Sequence, residues 1–300
     1  MSAPLVIRAG AATDRGLRRE TNEDALVVTA TMCAVADGMG GHEAGEIAAA
    51  LCVRTLGSSP LFTLADPLGF PVEEPPPPLD VARFRATVER ELRLDPDVPE
   101  GAIEAVRRVR SVLWQADQHI QHACAGRAGT TVTGVWLTRI EDRDLWIVFN
   151  TGDSRTYRLH PPEAAAADGT PELEQLTVDH SEVQYLVSIG QITAAQALVH
   201  PRRNVITRAL GTGQVWEPDV RVLPARPGER LLLCSDGLTN ELSPAHMARV
   251  LGRTAHPKEA ADVLLEAALR TGGRDNVTVI VADAARAEEA TGPLPAQPPA

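Results

Sequence analysis

A carboxylate followed by glycines stands where an apolar run ends near the start of the chain. The run 32–36 has the composition of a strand, and VADGMGG at 35–41 leads from it into a helix-like segment. Glycines keep side chains out of the way, so Asp37 and the carbonyl of Gly38 could both face one hard metal ion. An Asp-Gly pair is far more often an ordinary turn, so this stretch alone does not establish a metal site.

Further acidic clusters lie where other apolar runs begin or end. They are Asn22-Glu23-Asp24, Gly152-Asp153-Ser154-Arg155, Ser235-Asp236-Gly237 and Gly273-Arg274-Asp275-Asn276. Carboxylates, carbonyls and waters suit Mg²⁺ and Mn²⁺, whereas zinc prefers nitrogen and sulfur ligands. If the clusters converge, they could build a polynuclear metal site.

Three residues beside these clusters each allow two interpretations. Arg19 lies in the charged loop DRGLRRETNED, where it is either solvated surface or a clamp for phosphate. His42 is either an acid-base group at the mouth of a site or an ordinary loop residue, and spacing alone favours the loop residue. Asp24 either holds a metal-bound water or only caps a strand.

Hydrophobic periodicity predicts the elements that must position these residues. Strands are expected at 5–12, 25–29, 32–36, 130–138, 145–150, 155–159, 173–177, 220–223, 230–234 and 277–282. Helices are expected at 43–56, 101–123, 244–251 and 257–270. The first two helices should pair, and the stripe of the first comprises Ala44, Ile47, Ala48, Leu51, Cys52 and Thr55. The turn GDSR is expected to join 145–150 and 155–159 as neighbouring strands of one meander.

Several segments have the composition of connections. Residues 57–100 contain the run PVEEPPPPLD and a short charged helix candidate at 81–92, which predicts a surface insertion or linker. Residues 181–210 carry two short helical pieces without a clear strand, which predicts a mobile flap beside the site. The expected organisation is one domain over 1–285, followed by a disordered tail at 286–300.

Composition narrows the classes of function. The formal net charge of −11 argues against nucleic acid as a partner, because phosphate backbones recruit basic surfaces. The four cysteines all lie in apolar runs and none forms a CxxC pair, which predicts buried free thiols in a reducing compartment. No apolar run approaches the length of a membrane span, so we expect a soluble cytoplasmic protein without a membrane partner.

Eight stretches together carry a family resemblance. Between about Gly10 and Ala282 the chain reads RGLRRETNED, VADGMGGHEAGE, AGTT, NTGDSR, LTVDHS, HPRRNVITRALG, LLLCSDGL and GGRDNVTVIVA, in that order. In this the chain resembles bacterial members of the metal-dependent Ser/Thr protein phosphatases, the PPM or type 2C family. The resemblance implies an α+β fold, a four-layer α/β/β/α sandwich of two antiparallel sheets flanked by helices.

The resemblance also implies a metal centre. Asp37 would bridge two tightly bound Mn²⁺ or Mg²⁺ ions, with Glu23 and the Gly38 carbonyl on one ion and Asp236 and Asp275 on the other. The two ions would activate a water for attack on the phosphoester, so no protein nucleophile is needed.

Two further residues acquire roles from the resemblance. Asp153 would help Asp236 to hold a third, weaker ion, and Arg19 would bind the substrate phosphate. The implied activity is hydrolysis of phosphoserine and phosphothreonine in proteins, opposing a Ser/Thr kinase that shares those substrates. A phosphoprotein-binding pseudophosphatase and a small-molecule phosphatase are the alternatives.

The chain departs from the family pattern in two places. Met39 stands where eukaryotic relatives have a histidine proposed to protonate the leaving group, which leaves His42 or a metal-bound water as the candidate acid. The insertion at 57–100 is far longer than the usual link between the two helices.

Overall fold

The computed structural model describes residues 3–40, 43–62, 99, 101–161, 171–213 and 217–287. Within them the strands are β1 (Leu5–Asp14), β2 (Asp24–Val28), β3 (Met32–Met39), β4 (Gly129–Thr130), β5 (Val132–Ile140), β6 (Arg143–Thr151), β7 (Arg155–His160), β8 (Glu172–Gln175), β9 (Asp219–Pro224), β10 (Arg230–Cys234) and β11 (Val277–Arg286). Every predicted strand is present, and most are longer than predicted, because backbone pairing continues into polar residues that hydrophobicity does not mark.

Seven helices lie in the described residues. They are α1 (Glu43–Ser58), α2 (Gly101–Cys124), α3 (Glu182–Ser188), α4 (Ala194–Leu198), α5 (Asp236–Thr239), α6 (Pro244–Arg253) and α7 (Pro257–Thr271). None of the described helices is long and apolar enough to cross a bilayer. The four long predicted helices are confirmed, and α5 is a single turn that the sequence pattern did not reveal.

The strands form two antiparallel sheets. The first sheet has the order β1-β11-β10-β7-β8, and the second has the order β2-β3-β5-β6-β9, with β4 paired to β3. Side chains alternate between the two faces of each strand. In β10, Leu231 and Leu233 face the core between the sheets, whereas Leu232 and Cys234 face α6 and α7. A third core lies between the second sheet and the pair α1 and α2, which confirms the four-layer α+β sandwich.

The chain changes sheets at the GDSR turn, so the prediction of a meander there is wrong. β6 belongs to the second sheet and β7 to the first. β6 is buried on both faces because it lies inside a layered fold, and this pattern does not reveal whether the next strand joins the same sheet. The crossing brings Asp153 to the edge at which both sheets end.

The start of the predicted insertion belongs to the core. α1 continues to Ser58, and a 3₁₀ turn at Pro60–Phe62 follows it. Phe62 is 1% exposed, and its ring contacts Trp136 edge to face with centroids 5.5 Å apart. In α1 itself Ile47 is 48% exposed, so its place on the apolar stripe was wrong.

Some predictions fall outside the described residues. These are the helix at 81–92, most of the insertion at 57–100, His42, and the tail beyond residue 287. β11 runs to Arg286, so the tail cannot begin at 286 as predicted. The single-domain organisation over 1–285 stays a prediction.

Candidate active site

An open cleft of about 350 Å³ lies at the edge where strands of both sheets begin and end. Its lining comes from the β1–β2 loop, the end of β3, the β6–β7 crossing, the start of α5 and the residues before β11. The flap contributes Asn204 and Ile206. The cleft brings together all the predicted site residues that the structure describes: Arg19, Glu23, Asp37, Gly38, Asp153, Asp236 and Asp275.

Asp37 lies within β3 rather than after it, because the strand continues to Met39. Thr131, between β4 and β5, holds the backbone of Asp37. The Asp37 amide donates to Thr131 Oγ1 at 3.2 Å, and the Thr131 amide donates to the Asp37 carbonyl at 2.9 Å. The Thr131 hydroxyl also bonds Ser154 Oγ at 2.8 Å, next to Asp153. One threonine therefore ties the Asp37 strand to the Asp153 turn.

Two glycines allow β3 and α1 to approach each other at the cleft. A Cβ at Gly38 would lie 2.2 Å from the carbonyl oxygen of Gly45 in α1 and 2.6 Å from that of Glu23. A Cβ at Gly45 would lie 2.1 Å from Glu23 Oε2. The Glu23 carboxylate therefore occupies the space that a side chain at position 45 would need.

Asp24 connects the two sheets beside the cleft. It pairs with Asp37 in the second sheet, and its Oδ2 accepts a hydrogen bond from Ser235 Oγ of the first sheet at 2.8 Å. Burial raises the pKa of Asp24 to about 7, although hydrogen bonds from Thr278 and Ser235 oppose the rise. Asp24 therefore does more than cap β2, since its contacts link the strand of Asp37 to Ser235, the residue before Asp236.

Asn276 holds the loop that carries Arg19 and Glu23. Its side-chain oxygen accepts from the Glu23 amide at 2.9 Å, and its Nδ2 donates to the carbonyls of Arg15 and Thr21 at 2.9 and 2.8 Å. A short loop rich in charge has no core of its own, so these bonds define its path over the cleft.

No arginine of its own turn pairs with the Asp153 carboxylate. Arg155 binds Asp179 instead, with Nη2 2.6 Å from Oδ2. Asp153 is 8% exposed, and its Oδ1 is buried without a hydrogen-bond partner. A buried carboxylate oxygen without a donor is costly unless a cation or a water meets it.

The carboxylates of the cleft destabilise one another's charged forms. Burial, and then the charge of Asp236, raises the pKa of Asp153 to about 8. Burial and the charge of Asp275 raise the pKa of Asp236 to about 6. Burial also raises the pKa of Asp37 well above its usual range, with the charges of Asp24 and Asp236 adding to the effect. The cleft is therefore a region of concentrated negative charge that a divalent cation would relieve.

Neighbouring donors engage two of the carboxylates. Arg19 forms a bidentate pair with Asp275, in which Nε lies 2.8 Å from Oδ1 and Nη2 lies 2.8 Å from Oδ2. Asn240 Nδ2 donates to Asp236 Oδ2 at 3.0 Å. In this arrangement no three His, Cys, Asp or Glu side chains of the described residues are grouped closely enough to hold an ion as they stand.

Comparison with known proteins places this cleft in a family. A family model described as protein phosphatase 2C matches residues 17–271, which include every residue of the cleft up to Asp236. The chain belongs to the protein phosphatase 2C family. Asp275 and Asn276 lie a few residues beyond the matched span, directly before β11.

Named relatives in the protein phosphatase 2C family are bacterial. Serine/threonine protein phosphatase PstP of Mycobacterium tuberculosis is 37% identical over 283 residues, covering 93% of this chain and 45% of PstP. Serine/threonine phosphatase stp of Listeria innocua is 32% identical over 276 residues, covering 90% of this chain and 93% of the relative. The chain thus spans under half the length of PstP and nearly all of the Listeria protein.

Solved structures of the family have the same fold. The crystal structure of M. tuberculosis PstP/Ppp superimposes with a TM-score of 0.70 at 34% identity, covering 94% of this chain and 100% of that one. The catalytic domain of PstP in complex with two manganese ions gives a TM-score of 0.67 at 33% identity, covering 94% and 99%.

The donor set in this 2C-family cleft fits divalent cations. The ligands offered are carboxylate and carbonyl oxygens, the buried Asp153 Oδ1 lacks a donor, and the close contact at Gly38 leaves no room for a side chain. Hard cations such as Mg²⁺ and Mn²⁺ prefer such oxygens.

Sequence reasoning assigned no role to the residues that support the carboxylates. Thr131, Ser235 and Asn276 act through bonds to partners that lie 94, 211 and 253 positions away in the chain. Their only signal was position, since each adjoins or lies within one of the motifs AGTT, CSDG and RDN.

Proposed function

We propose that this chain is a metal-dependent protein serine/threonine phosphatase that hydrolyses phosphoserine and phosphothreonine. One observation carries the proposal: a single open cleft unites an exposed arginine with oxygen ligands from five separate parts of the chain. Membership of the protein phosphatase 2C family and the names of the bacterial relatives support it.

The proposed ligands divide into two groups around Asp37, which would bridge both ions. Glu23 and the Gly38 carbonyl would hold the first ion, and Asp236 and Asp275 the second. The ions, Mn²⁺ or Mg²⁺, would supply activation of a water and neutralisation of the phosphate charge. The two manganese ions in the PstP catalytic domain support this assignment. Asp153 would join Asp236 at a third, weaker site.

Arg19 is the proposed contact for the substrate phosphate. Its side chain is 55% exposed at the cleft while its guanidinium pairs with Asp275, and this hydrogen bond raises the pKa of Arg19. A guanidinium matches the geometry of phosphate oxygens, so Arg19 can orient the phosphoryl group beside the carboxylates.

No cysteine of the chain is placed to act as a nucleophile. All four are buried, and burial raises the pKa of Cys33, Cys52 and Cys234 to about 12. Met39 lines the cleft at the position where eukaryotic relatives have a histidine proposed to protonate the leaving group. We propose His42 or a metal-bound water as the acid in this chain; His42 lies outside the described residues.

The proposed partners are phosphorylated proteins, and with them a Ser/Thr kinase that acts on the same substrates. We propose a cytoplasmic location, which the four free thiols support because unpaired cysteines are typical of reducing compartments. Recovery of the native protein outside the cytoplasm after cell fractionation would overturn the location without affecting the activity.

The activity is tested by phosphate release from matched phosphothreonine, phosphoserine and phosphotyrosine peptides and from sugar phosphates. Each substrate is assayed with Mn²⁺, Mg²⁺, Zn²⁺ and a chelator. The proposal predicts Mn²⁺- or Mg²⁺-dependent turnover that favours phosphothreonine and phosphoserine peptides. Binding of phosphopeptide without turnover would identify a pseudophosphatase, and preference for sugar phosphates would identify a small-molecule phosphatase.

A further inference from the structure

His180 is a buried histidine that contacts the Asp153 turn, the flap and β9 together. It is 5% exposed and immediately precedes the flap. The Gly152 amide donates to His180 Nδ1 at 3.1 Å, and the His180 amide donates to the Gly152 carbonyl at 2.8 Å. These two reciprocal bonds fasten the residue before Asp153 to the base of the flap.

The bond from Gly152 defines the tautomer of the imidazole. A backbone N–H can only donate, so Nδ1 must accept and the ring proton lies on Nε2. Nε2 then donates to Asp219 Oδ2, which lies 3.1 Å away. Arg208 Nη1 lies 3.3 Å from the same Nε2, but a guanidinium only donates, so its hydrogen goes to the other oxygen of that carboxylate, at 3.0 Å. Asp219 on β9 therefore orients the imidazole so that Nδ1 faces Gly152.

The two ends of the flap meet at the same histidine. The Thr207 amide donates to the His180 carbonyl at 2.7 Å, and Ser181 pairs with Ile206 in an isolated bridge. Ile206 and Asn204 line the cleft. A displacement of the flap residues 204–207 therefore acts on His180 directly.

The Asp153 turn itself has little freedom to relax. Gly152 has φ +107°, and a Cβ there would lie 2.5 Å from Cβ and Cγ2 of Thr131. Asn150 Nδ2 also donates to the Gly152 carbonyl at 3.1 Å. The turn thus lies between Thr131 on one side and His180, at the base of the flap, on the other.

We propose that His180 is a positioning residue that couples the flap to Asp153, so that the placement of the flap determines where the Asp153 carboxylate stands in the cleft. The role in turnover rests on the proposed phosphatase activity. The coupling itself is a property of the contacts of His180 with Gly152, Thr207 and Asp219.

Two substitutions separate the roles of the two imidazole nitrogens. In His180→Asn the amide oxygen lies at the position of Nδ1 and can still accept from Gly152. In His180→Gln the longer amide can reach Asp219 but offers no acceptor at the position of Nδ1. His160→Gln is the matched control, because His160 also contacts a carboxylate, with Nε2 2.9 Å from Glu174, but lies outside the cleft lining.

Three readouts are measured on the full chain: steady-state kinetics on a phosphothreonine peptide, calorimetric Mn²⁺ titration, and hydrogen exchange of the segments containing Gly152 and the flap. His180→Gln should speed exchange in both segments, weaken the weakest Mn²⁺ site and lower kcat about 10-fold or more, with KM little changed. His180→Asn should stay within about threefold of wild type in kcat, since it keeps the Gly152 contact. His160→Gln should match wild type.

Equal kcat in the Asn and Gln variants, or unchanged protection of the Gly152 segment in His180→Gln, would overturn the proposal. If His180→Gln does not fold, Asp219→Ala decides the question, because the Asp219 side chain is 46% exposed. Alanine removes the acceptor of Nε2–H, so the imidazole is free to turn its Nδ1 away from the Gly152 amide. Wild-type exchange and wild-type kcat in Asp219→Ala would contradict the coupling.

The proposed activity can fail independently of the coupling. If the wild-type protein releases no phosphate from any substrate, the phosphatase proposal is wrong. Exchange of the Gly152 and flap segments and Mn²⁺ binding still decide whether His180 couples them.

Discussion

Three acidic residues in or beside the cleft depend on neighbours that are not among the proposed ligands. Thr131 holds the backbone of Asp37, Ser235 binds Asp24, and Asn276 positions the backbone of Glu23. A carboxylate that is buried among other carboxylates repels them, so its place must be fixed by such bonds rather than by its own preference. The supports therefore determine the geometry with which the cleft can meet a cation.

Arg19→Ala should mainly raise KM for a phosphopeptide. The substitution removes a guanidinium proposed to hold phosphate, and loss of a charge-assisted hydrogen bond corresponds to about a 10- to 100-fold effect. Steady-state kinetics with a phosphothreonine peptide measure it. The control is Arg8→Ala, because Arg8 forms an exposed pair with Asp283 outside the cleft lining. An unchanged KM with full activity would show that Arg19 does not bind the phosphate and is only a solvated surface residue.

The sequence revealed the types of residue in the cleft better than their contacts. Asp37, Asp236 and Asp275 could be selected because carboxylates beside glycines at strand ends are unusual together. The pairing of Arg155 with Asp179 rather than Asp153 could not be foreseen, because Asp179 returns to the turn only through the path of β8. Such contacts depend on the fold, which local pattern does not determine.

At the scale of elements, the close approach of α1 to β3 shapes one wall of the cleft. Gly38 and Gly45 make this contact possible, with the Glu23 carboxylate beside it. The helix and the strand are therefore held at a distance that requires glycine at position 38, whereas a side chain at position 45 would meet the movable Glu23 carboxylate.

Gly45→Ala should weaken metal binding without unfolding the protein. Its Cβ would displace Glu23 Oε2, which lies 2.1 Å from that position, while alanine itself favours a helix. We expect the affinity for Mn²⁺ to fall about 10-fold or more, measured by calorimetry, with the melting temperature nearly unchanged. Gly57→Ala is the control, since its Cβ meets only Val27 Cγ2, at 3.0 Å. Wild-type Mn²⁺ affinity in Gly45→Ala would contradict the placement of Glu23.

The part of the Pro-rich insertion that follows Phe62 should be removable without loss of the core, whereas a deletion that begins at Ser58 should not. Replacing 63–98 by a short Gly/Ser linker should leave turnover of a small phosphoester nearly intact. Replacing 58–99 removes Phe62 from its contact with Trp136, and loss of a buried phenylalanine costs about 3–5 kcal/mol. Urea unfolding and turnover compare the two variants. A folded 63–98 variant that cannot cleave the substrate would show that the insertion forms part of the site.

Element types were largely predictable, and their assembly was not. Periodicity found the long helices and the apolar strands because burial requires it. It could not show that β7 leaves the sheet of β6, or that the single turn α5 begins at Asp236, since both depend on contacts distant in sequence.

At the scale of the whole molecule, ion pairs join the two sheets at the edge formed by β8 and β9. Glu174 on β8 accepts from Arg158 at 2.7 Å and from Arg221 on β9 at 3.3 Å, and it contacts His160 at 2.9 Å. Burial opposes ionisation of Glu174, but the hydrogen bonds from Arg158 and His160 outweigh it and lower its pKa to about 2.

Glu174→Gln should lower stability at neutral pH and matter less in acid. The folded pKa of about 2 lies below the usual 4.5, so the contribution is present above about pH 4.5 and is lost as pH falls toward 2. Because the side chain is 31% exposed, solvent screening reduces the expected loss to about 1 kcal/mol at pH 7. Urea unfolding at pH 7 and pH 3 measures it. An equal loss at both pH values would contradict the ion-pair account.

The central claim is that the acidic cleft is the site of phosphoester hydrolysis. Asp236→Asn tests it most directly, because the substitution keeps the size of the side chain and removes the charge of one proposed ligand at the start of α5. Turnover of a phosphothreonine peptide with saturating Mn²⁺ should fall by about a thousandfold or more, while the melting temperature stays near that of wild type. Asp262→Asn, on the surface of α7 beside Lys258, should leave both unchanged. Turnover of Asp236→Asn within about twofold of wild type would contradict the claim.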